Sequence, residues 1–329
     1  MNIYDIAERA GVSIATVSRV INGNGPVSAQ TTKKVLKVID ELGYRPNVFA
    51  QGLNTNSMRT IGVLTTNICD LYYATAIHTI EQNAKKSGYD VLLSCTTSGV
   101  EDKKKHIGLL LEKRVDGLIL IGSIFRETSN NTHILEAAKS VPVVLLNSCV
   151  EGKGVYSVYC EDDAGARMAA GHLIAGGRRH IAYINDVTTY SGRNKLEGYH
   201  LAMEQAGLAP DVVTVPPGID GGWQAAEQLL SRTILPDGIA CSEDELAAGV
   251  LKKLAQAGVR VPDDVAVVGY NDSLLARCTT PELASVNSKV RELSAYALET
   301  MVKCIETGMA PQKTAVTPEL VVRESARLH

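Results

Sequence analysis

The sequence predicts a two-part molecule: a small all-α helix-turn-helix headpiece, then an α/β core of two doubly wound parallel-sheet lobes. Three observations carry that expectation. Two short amphipathic helices joined by a glycine turn open the chain. From Thr60 onward, short β-branched strands alternate with amphipathic helices to the end of the 329 residues. The formal charge also changes sign between the two parts. Residues 1–59 hold seven Lys/Arg against four Asp/Glu, a net of +3, whereas the rest hold 26 against 32, a net of −6. A basic head on an acidic body suits a polyanion at one end only.

The helices of the head follow from caps and spacing. Asn2 caps the first, with Asp5 three residues on, where an acid meets the open N–H groups. Ile6, Ala7 and Ala10 form its apolar stripe. Gly11 supplies the positive φ of a tight turn, and Ser13 caps the second helix, IATVSRVIN. There Val17, Val20 and Ile21 share one side, with Ile14, Ala15, Ser18, Arg19 and Asn22 largely on the rest. After Asn22-Gly23-Asn24-Gly25-Pro26, Ser28 caps a third helix. Its expected packing face is Val35, Leu36, Val38, Ile39 and Leu42, and Gly43 is its stop.

Two helices across such a turn, with a third completing the core, are an arrangement that reads DNA. Small Ala15 and Thr16 permit close approach in the major groove, and Arg19 can pair bidentately with guanine. Thr16, Ser18 and Asn22 can donate to phosphates and fix the register. The alternative is a three-helix packing domain with a solvated polar face.

In the body, strands are expected at 60–66, 89–95, 117–122, 142–147, 180–185, 238–242 and 265–271. Helices are expected near 72–87, 101–114, 130–139, 163–175, 194–206, 221–231, 244–257 and 289–307. This alternation implies parallel sheets covered on both faces, and it is too long for a single sheet. Two facing lobes leave a cleft at the carboxyl ends of their strands, where such sheets bind ligands. The candidates are therefore the residues just past the strands: 66–73, 147–148, 185–193, 243–244 and 271–272.

Composition excludes several classes. No run of about 18 apolar residues occurs, which argues against a membrane span. Asp5, Glu8 and Arg9 stand where a signal peptide needs its apolar stretch, so a cytoplasmic protein is expected. Seven cysteines (69, 95, 149, 160, 241, 278 and 304), odd in number and without a CxxC pair, read as reduced, mostly buried thiols. There is no GxSxG elbow, P-loop or metal-spaced histidine cluster, and the glycines at 218, 221 and 222 lack a dinucleotide fingerprint. Neither an enzyme, a cofactor nor a metal is expected.

The run NIYDIAERAGVSIATVSRVINGNGPVSAQTTKKVLKVIDELGYRPNVFAQGL resembles the headpiece of the LacI/GalR family of bacterial transcriptional regulators. VDGLIL, VPVVLLN, DDAGARMAAGHLI, VPDDVAVVGYND and PELVVRES carry the resemblance through the body. It implies a headpiece over 1–46, a hinge helix and linker over 47–59, and a periplasmic-binding-protein type I-like core over 60–329. Lobe 1 is expected at about 60–159 and 290–314, lobe 2 at about 162–287 and 318–329, with crossings near 159–162, 287–290 and 314–318. The implied DNA contacts are Ile3, Tyr4, Ser13, Ile14, Ala15, Thr16, Ser18, Arg19, Asn22, Thr31, Tyr44, Asn47, Ala50 and Leu53. Residues 48–54 are too few for a stable free helix. In this family such a segment becomes a hinge helix when two subunits sit on DNA, and a leucine, here matched by Leu53, wedges into and kinks the minor groove. Gly52 replaces the longer residue often found there, which makes this hinge more reluctant to fold.

The resemblance also implies an effector between the lobes, at Tyr72, Asn147, Lys195, Trp223, Glu243 and Asn271. Several of these depart from the family pattern. The usual Asn-Pro-aromatic-aromatic turn reads Asp70-Leu71-Tyr72-Tyr73, Lys195 stands for an Arg, and Glu243 and Asn271 stand for an Asn and an Asp. Because Arg and Lys differ at a bidentate site, ligand identity does not carry over. Trp223 matches an aromatic that stacks on a sugar ring in some relatives; the alternative is a helix-start core tryptophan. The expected protein is a homodimer without a heptad tail, reading a pseudo-palindromic DNA operator and answering a sugar or sugar phosphate. The alternatives are a corepressor- or protein-partner-dependent regulator and a soluble sugar-binding protein built on the same lobes.

Overall fold

The computed structural model describes residues 2–22, 25–44 and 57–327, with only the backbone at Asn22. It divides into two compact units, Met1–Arg59 and Thr60–His329.

The first unit holds α1 (Ile3–Ala10), α2 (Ile14–Asn22) and α3 (Ala29–Leu42). Asn2 and Asp5 form a reciprocal capping box: Asn2 accepts from the Tyr4 and Asp5 amides, and Asp5 accepts from the Asn2 amide at 2.8 Å. Gly11 takes the left-handed conformation, φ 60° and ψ 40°, that turns the chain into α2. Ile6, Ala7, Ala10, Val17, Val35 and Val38 are the buried centre, with Val20, Ile21, Ile39 and Leu42 packed around them. Leu36 corrects the expected packing face: it is 50% exposed. Val35, Val38, Ile39 and Leu42 follow the 3.6-residue period, whereas Leu36 lies about 100° off that stripe.

The second unit holds two six-stranded sheets. In chain order the elements are β1 (Thr60–Thr65), α4 (Leu71–Lys86), β2 (Asp90–Cys95), α5 (Val100–Glu112), β3 (Gly117–Ile121), α6 (Thr132–Ala137), β4 (Val143–Leu146) and β5 (Val155–Cys160). Then come α7 (Asp162–Ala175), β6 (Ile181–Asn185), α8 (Tyr190–Gln205), β7 (Asp211–Thr214), α9 (Gly218–Leu230), β8 (Gly238–Cys241), α10 (Asp244–Gln256) and β9 (Ala266–Tyr270). The chain ends through α11 (Leu274–Cys278), β10 (Ala284–Asn287), α12 (Val290–Thr307), β11 (Lys313–Val316) and β12 (Glu319–Val321). Lobe 1 is the sheet β11-β5-β4-β3-β1-β2, parallel throughout, and lobe 2 is β12-β10-β9-β8-β6-β7, parallel but for its antiparallel edge strand β12. The chain passes between the sheets at 160–162, 287–290 and 316–319, the last slightly beyond the anticipated limit of 314 because β11 runs on to Val316.

Seven strands were legible in the pattern; β5, β7, β10, β11 and β12 were not. β7, β10, β11 and β12 are segments of three or four residues such as ASVN and ELV, whose pairing partners rather than their own composition make them strands, whereas β5, the six-residue VYSVYC between β11 and β4, has a strand composition of its own. Each sheet has an apolar cluster on both faces. All seven cysteines are free; the expectation that most are buried is corrected, since only Cys160, Cys241 and Cys304 are, while Cys69, Cys95 and Cys278 are exposed. Among the described residues no helix is long and apolar enough to cross a membrane.

Candidate functional site

In the first unit, the residues proposed to meet DNA gather on the outer side of α2. Ser13, Ile14, Ala15 and Arg19 are exposed, Thr16 and Ser18 are half-buried, and Val17 points into the core. The Ser13 hydroxyl lies 2.9 Å from the Thr16 hydroxyl and accepts from the Thr16 amide, so this pair starts α2 and holds its first turn. Tyr4 is 65% exposed, whereas Ile3 and Tyr44 pack against the head's core. Thr31 is tied to the Ser28 cap at 2.8 Å between hydroxyls. Asn47, Ala50 and Leu53, and the side chain of Asn22, lie outside the described residues.

In the second unit, a cavity of about 270 Å³ opens between the lobes at the carboxyl ends of the strands and adjoins a wider one of about 610 Å³. Five of the six expected residues meet there: Tyr72, Asn147, Lys195, Glu243 and Asn271 line the smaller cavity. The positions follow from strand ends. Asn147 follows β4 and Asn271 follows β9, both with positive φ (57° and 97°), a backbone that asparagine tolerates better than most residues. Asp70 caps α4 through the Tyr72 and Tyr73 amides, which aims Tyr72 across the cleft. The Tyr72 hydroxyl is buried without a hydrogen-bond partner among the described residues.

Lys195 is the centre of the charge arrangement. Its side chain is 3% exposed, donates to the Ser242 carbonyl at 2.8 Å and to Glu243 Oε1 at 2.9 Å, and lies 3.9 Å from the Tyr270 ring centroid. Glu243 also accepts from Asn271 Nδ2. Behind Lys195, Asp162 is almost fully buried and accepts from Ser191 Oγ at 2.5 Å and the Tyr270 hydroxyl at 2.8 Å. Burial opposes the charge on Lys195, but the Glu243 and Asp162 carboxylates outweigh it and raise its pKa. Burial pushes Glu243 up to about 8, with Lys195 pulling the other way and Asp186 adding repulsion. The sequence pattern offered no signal for Asp162 and Tyr270, which meet only because β9 and the start of α7 are neighbours in space. Asp70 and Asp186, which also line the cavity, fell within the strand-end segments but without anything to single them out.

Trp223 is the correction. It does not line the cleft; it lies on α9, with the Lys253 and Lys252 ammonium groups 4.8 and 5.8 Å from its ring centroid. The reason is backbone packing. A Cβ on Gly222 would stand 1.9 Å from the Leu246 carbonyl oxygen and one on Gly249 2.0 Å from that of Ile219, so α9 and α10 touch main chain to main chain. That contact fixes the rotation of α9, and Pro217 and Gly218, at its start, face the cleft in place of the tryptophan.

The acids carry a pH prediction. A proton on Glu243 or Asp244, the latter raised to about 6 by burial, is held more tightly folded than unfolded. Each therefore favours the folded state at low pH and withdraws that stability as pH rises from the ordinary carboxyl value to the folded one. For Glu243 the window runs from 4.5 to about 8. Thermal unfolding of the wild type and of Glu243→Gln across that range should show the wild type losing ground steadily with pH. A difference that is flat or of opposite slope would refute the assignment.

A helix-turn-helix head on a two-lobed, cleft-bearing α/β core defines a DNA-binding transcriptional regulator. Residues 2–47 match the family model described as bacterial regulatory proteins, lacI family, and residues 170–326 match a periplasmic binding protein-like domain. The chain belongs to the lacI family of bacterial regulatory proteins. It is 39% identical over 330 residues to an HTH-type transcriptional regulator of Lachnoclostridium phytofermentans, covering 99% of both chains. It is similar in structure to the Lac repressor dimer bound to operator and the anti-inducer ONPF, with TM-score 0.92, 28% identity and 99% of both chains covered. It is also similar to a transcriptional regulator CelR–cellobiose complex, with TM-score 0.73, 29% identity and 99% of both chains covered. These relatives are transcriptional regulators.

Proposed function

We propose that the chain is a homodimeric repressor of carbohydrate-metabolism genes, whose hold on a pseudo-palindromic operator is changed by a neutral sugar bound between the lobes. The convergence of Tyr72, Asn147, Lys195, Glu243 and Asn271 on one interlobe cavity is the observation that carries this reading. The likeness to a regulator solved with cellobiose supports the ligand class. Charge narrows the expectation of a sugar or sugar phosphate. Among the described residues, Asp70, Asp186 and Glu243 line the smaller cavity with Lys195 as its one cation, and Lys195 is already engaged by Glu243. A phosphate there would meet the Asp70 and Asp186 carboxylates, whereas sugar hydroxyls can donate to them. The effector would favour one orientation of the lobes and thereby change operator affinity by its differential affinity for the two states, about 1–3 kcal/mol of coupling.

Operator affinity measured with and without a panel of neutral sugars and their phosphates tests both parts. A response to a neutral sugar is expected; no response to any member removes the effector class, and a response confined to phosphates overturns the charge argument. On the DNA side, Arg19 is the proposed base reader and Leu53 the proposed minor-groove wedge. Arg19→Ala should cost about 1–3 kcal/mol of discrimination against the wrong base. A selection from random duplexes that returns the same consensus for both proteins would dismiss that role.

A further inference from the structure

A second cavity, of about 620 Å³, lies in lobe 1 between α5 and α6 and shares no lining residue with the cleft. Its floor is apolar, with Ile107, Leu111 and Ala137. Its rim is acidic: Glu101, Glu127 and Glu136 stand against Lys104, and Lys139 engages Glu136 at 2.6 Å. His133 closes one side, 9% exposed, and its Nε2 is buried with no hydrogen-bond partner among the described residues. Burial, aided by the Lys103 charge, lowers the pKa of this imidazole although Glu127 acts against it, so it adds no positive charge near neutral pH.

Glu127 has a second attachment. Its carboxylate accepts from Lys103 Nζ at 2.6 Å, and Lys103, 1% exposed, also donates to the Ile124 carbonyl at 2.6 Å. The segment held this way touches lobe 2. Ser123 Oγ donates to Thr189 Oγ1 at 2.8 Å, and the Arg126 guanidinium lies 4.3 Å over the Tyr190 ring. One carboxylate therefore faces the cavity on one side and secures an interlobe contact on the other.

We propose that this cavity is a second, regulatory ligand site, taking an apolar ring or short chain that bears one organic cation, and that it acts on the interlobe contact through Glu127 and Lys103. The apolar body gains by leaving water against the floor, and the cation gains a charge-assisted hydrogen bond from the acidic rim. An organic cation fits better than a metal ion, because no group of three or more His, Cys, Asp or Glu among the described residues converges to hold one. A cation on Glu127 competes with Lys103 for the carboxylate and loosens the hold of Lys103 on residues 123–127.

The probe is benzamidine, with benzamide as its neutral counterpart, added to the full chain methyl-labelled at Ile and Leu. Benzamidine should give saturable shifts at Ile107 and Leu111 and a parallel shift at Ile124, and benzamide should bind at least about tenfold more weakly. Gly108→Leu should abolish the shifts by filling the cavity; a Cβ at Gly108 meets nothing within 4 Å, so the helix accommodates a side chain there. Glu127→Gln should bring benzamidine down to the affinity of benzamide. No saturation at Ile107 and Leu111, or shifts that persist in Gly108→Leu, would overturn the site. Equal binding of the two probes would overturn the cation. Saturation without movement at Ile124 would overturn the link to the interlobe contact.

Discussion

Lys195→Met should destabilise the core by about 3–5 kcal/mol near pH 8, because it leaves buried carboxylates without their counter-charge. Lys195 is 3% exposed and stands between Glu243 in front and the buried Asp162 behind. Methionine fills most of the same volume, so packing changes little and the loss is electrostatic. Burial raises the pKa of both carboxyls, so acidification should protonate them and return much of the lost stability. The double variant Lys195→Met/Glu243→Gln should likewise recover part of it at pH 8, since removing both partners costs less than orphaning one. Denaturant unfolding of the three proteins at pH 5.5 and pH 8 decides the matter. A single variant as stable as wild type at pH 8 would show that Lys195 does not organise the cleft.

Gly222→Ala should be strongly destabilising for a single added methyl, at about 3 kcal/mol or more. The added carbon would lie 1.9 Å from a backbone oxygen, that of Leu246, and no side chain can swing aside to make room. The helices α9 and α10 would have to separate, opening the core around Ala225, Ala226, Leu246 and Val250. Gly171→Ala in α7 is the matched control. Nothing lies within 4 Å of its Cβ, and alanine should add about 0.5–1 kcal/mol of helix stability. Thermal unfolding of both variants gives the comparison, and similar melting points would contradict the close contact.

Much of the cleft was legible because strand ends are legible. Asn147, Glu243 and Asn271 follow short apolar runs that read as strands, and a parallel sheet sends the residue after each strand toward the same edge. Tyr72 was readable through the resemblance, from its place in Asp70-Leu71-Tyr72-Tyr73, the counterpart of the family's aromatic turn. Trp223 shows where this reading stops. A helix start places a residue along the axis but not around it, and the rotation of α9 is set by the Gly222 and Gly249 contacts with α10. Leu36 repeats the lesson on a smaller scale, being apolar yet off the stripe that α3 presents to its neighbours.

The sequence by itself determined the two-part organisation, the three helices and turn of the head, the alternation of the core, and the opposite charges of the two parts. Each of these is local: a cap, a glycine with positive φ, a period of 2 or 3.6, a count of charges. Only the tertiary structure decided the partners across long separations. These include the strands β5, β7 and β10 to β12, the Asp162–Tyr270 contact behind Lys195, the carboxylates that leave the cleft acidic, and the Lys103–Glu127 pair beside a second cavity. The physical reason is that burial and pairing depend on what lies opposite, and composition along the chain does not say what that will be.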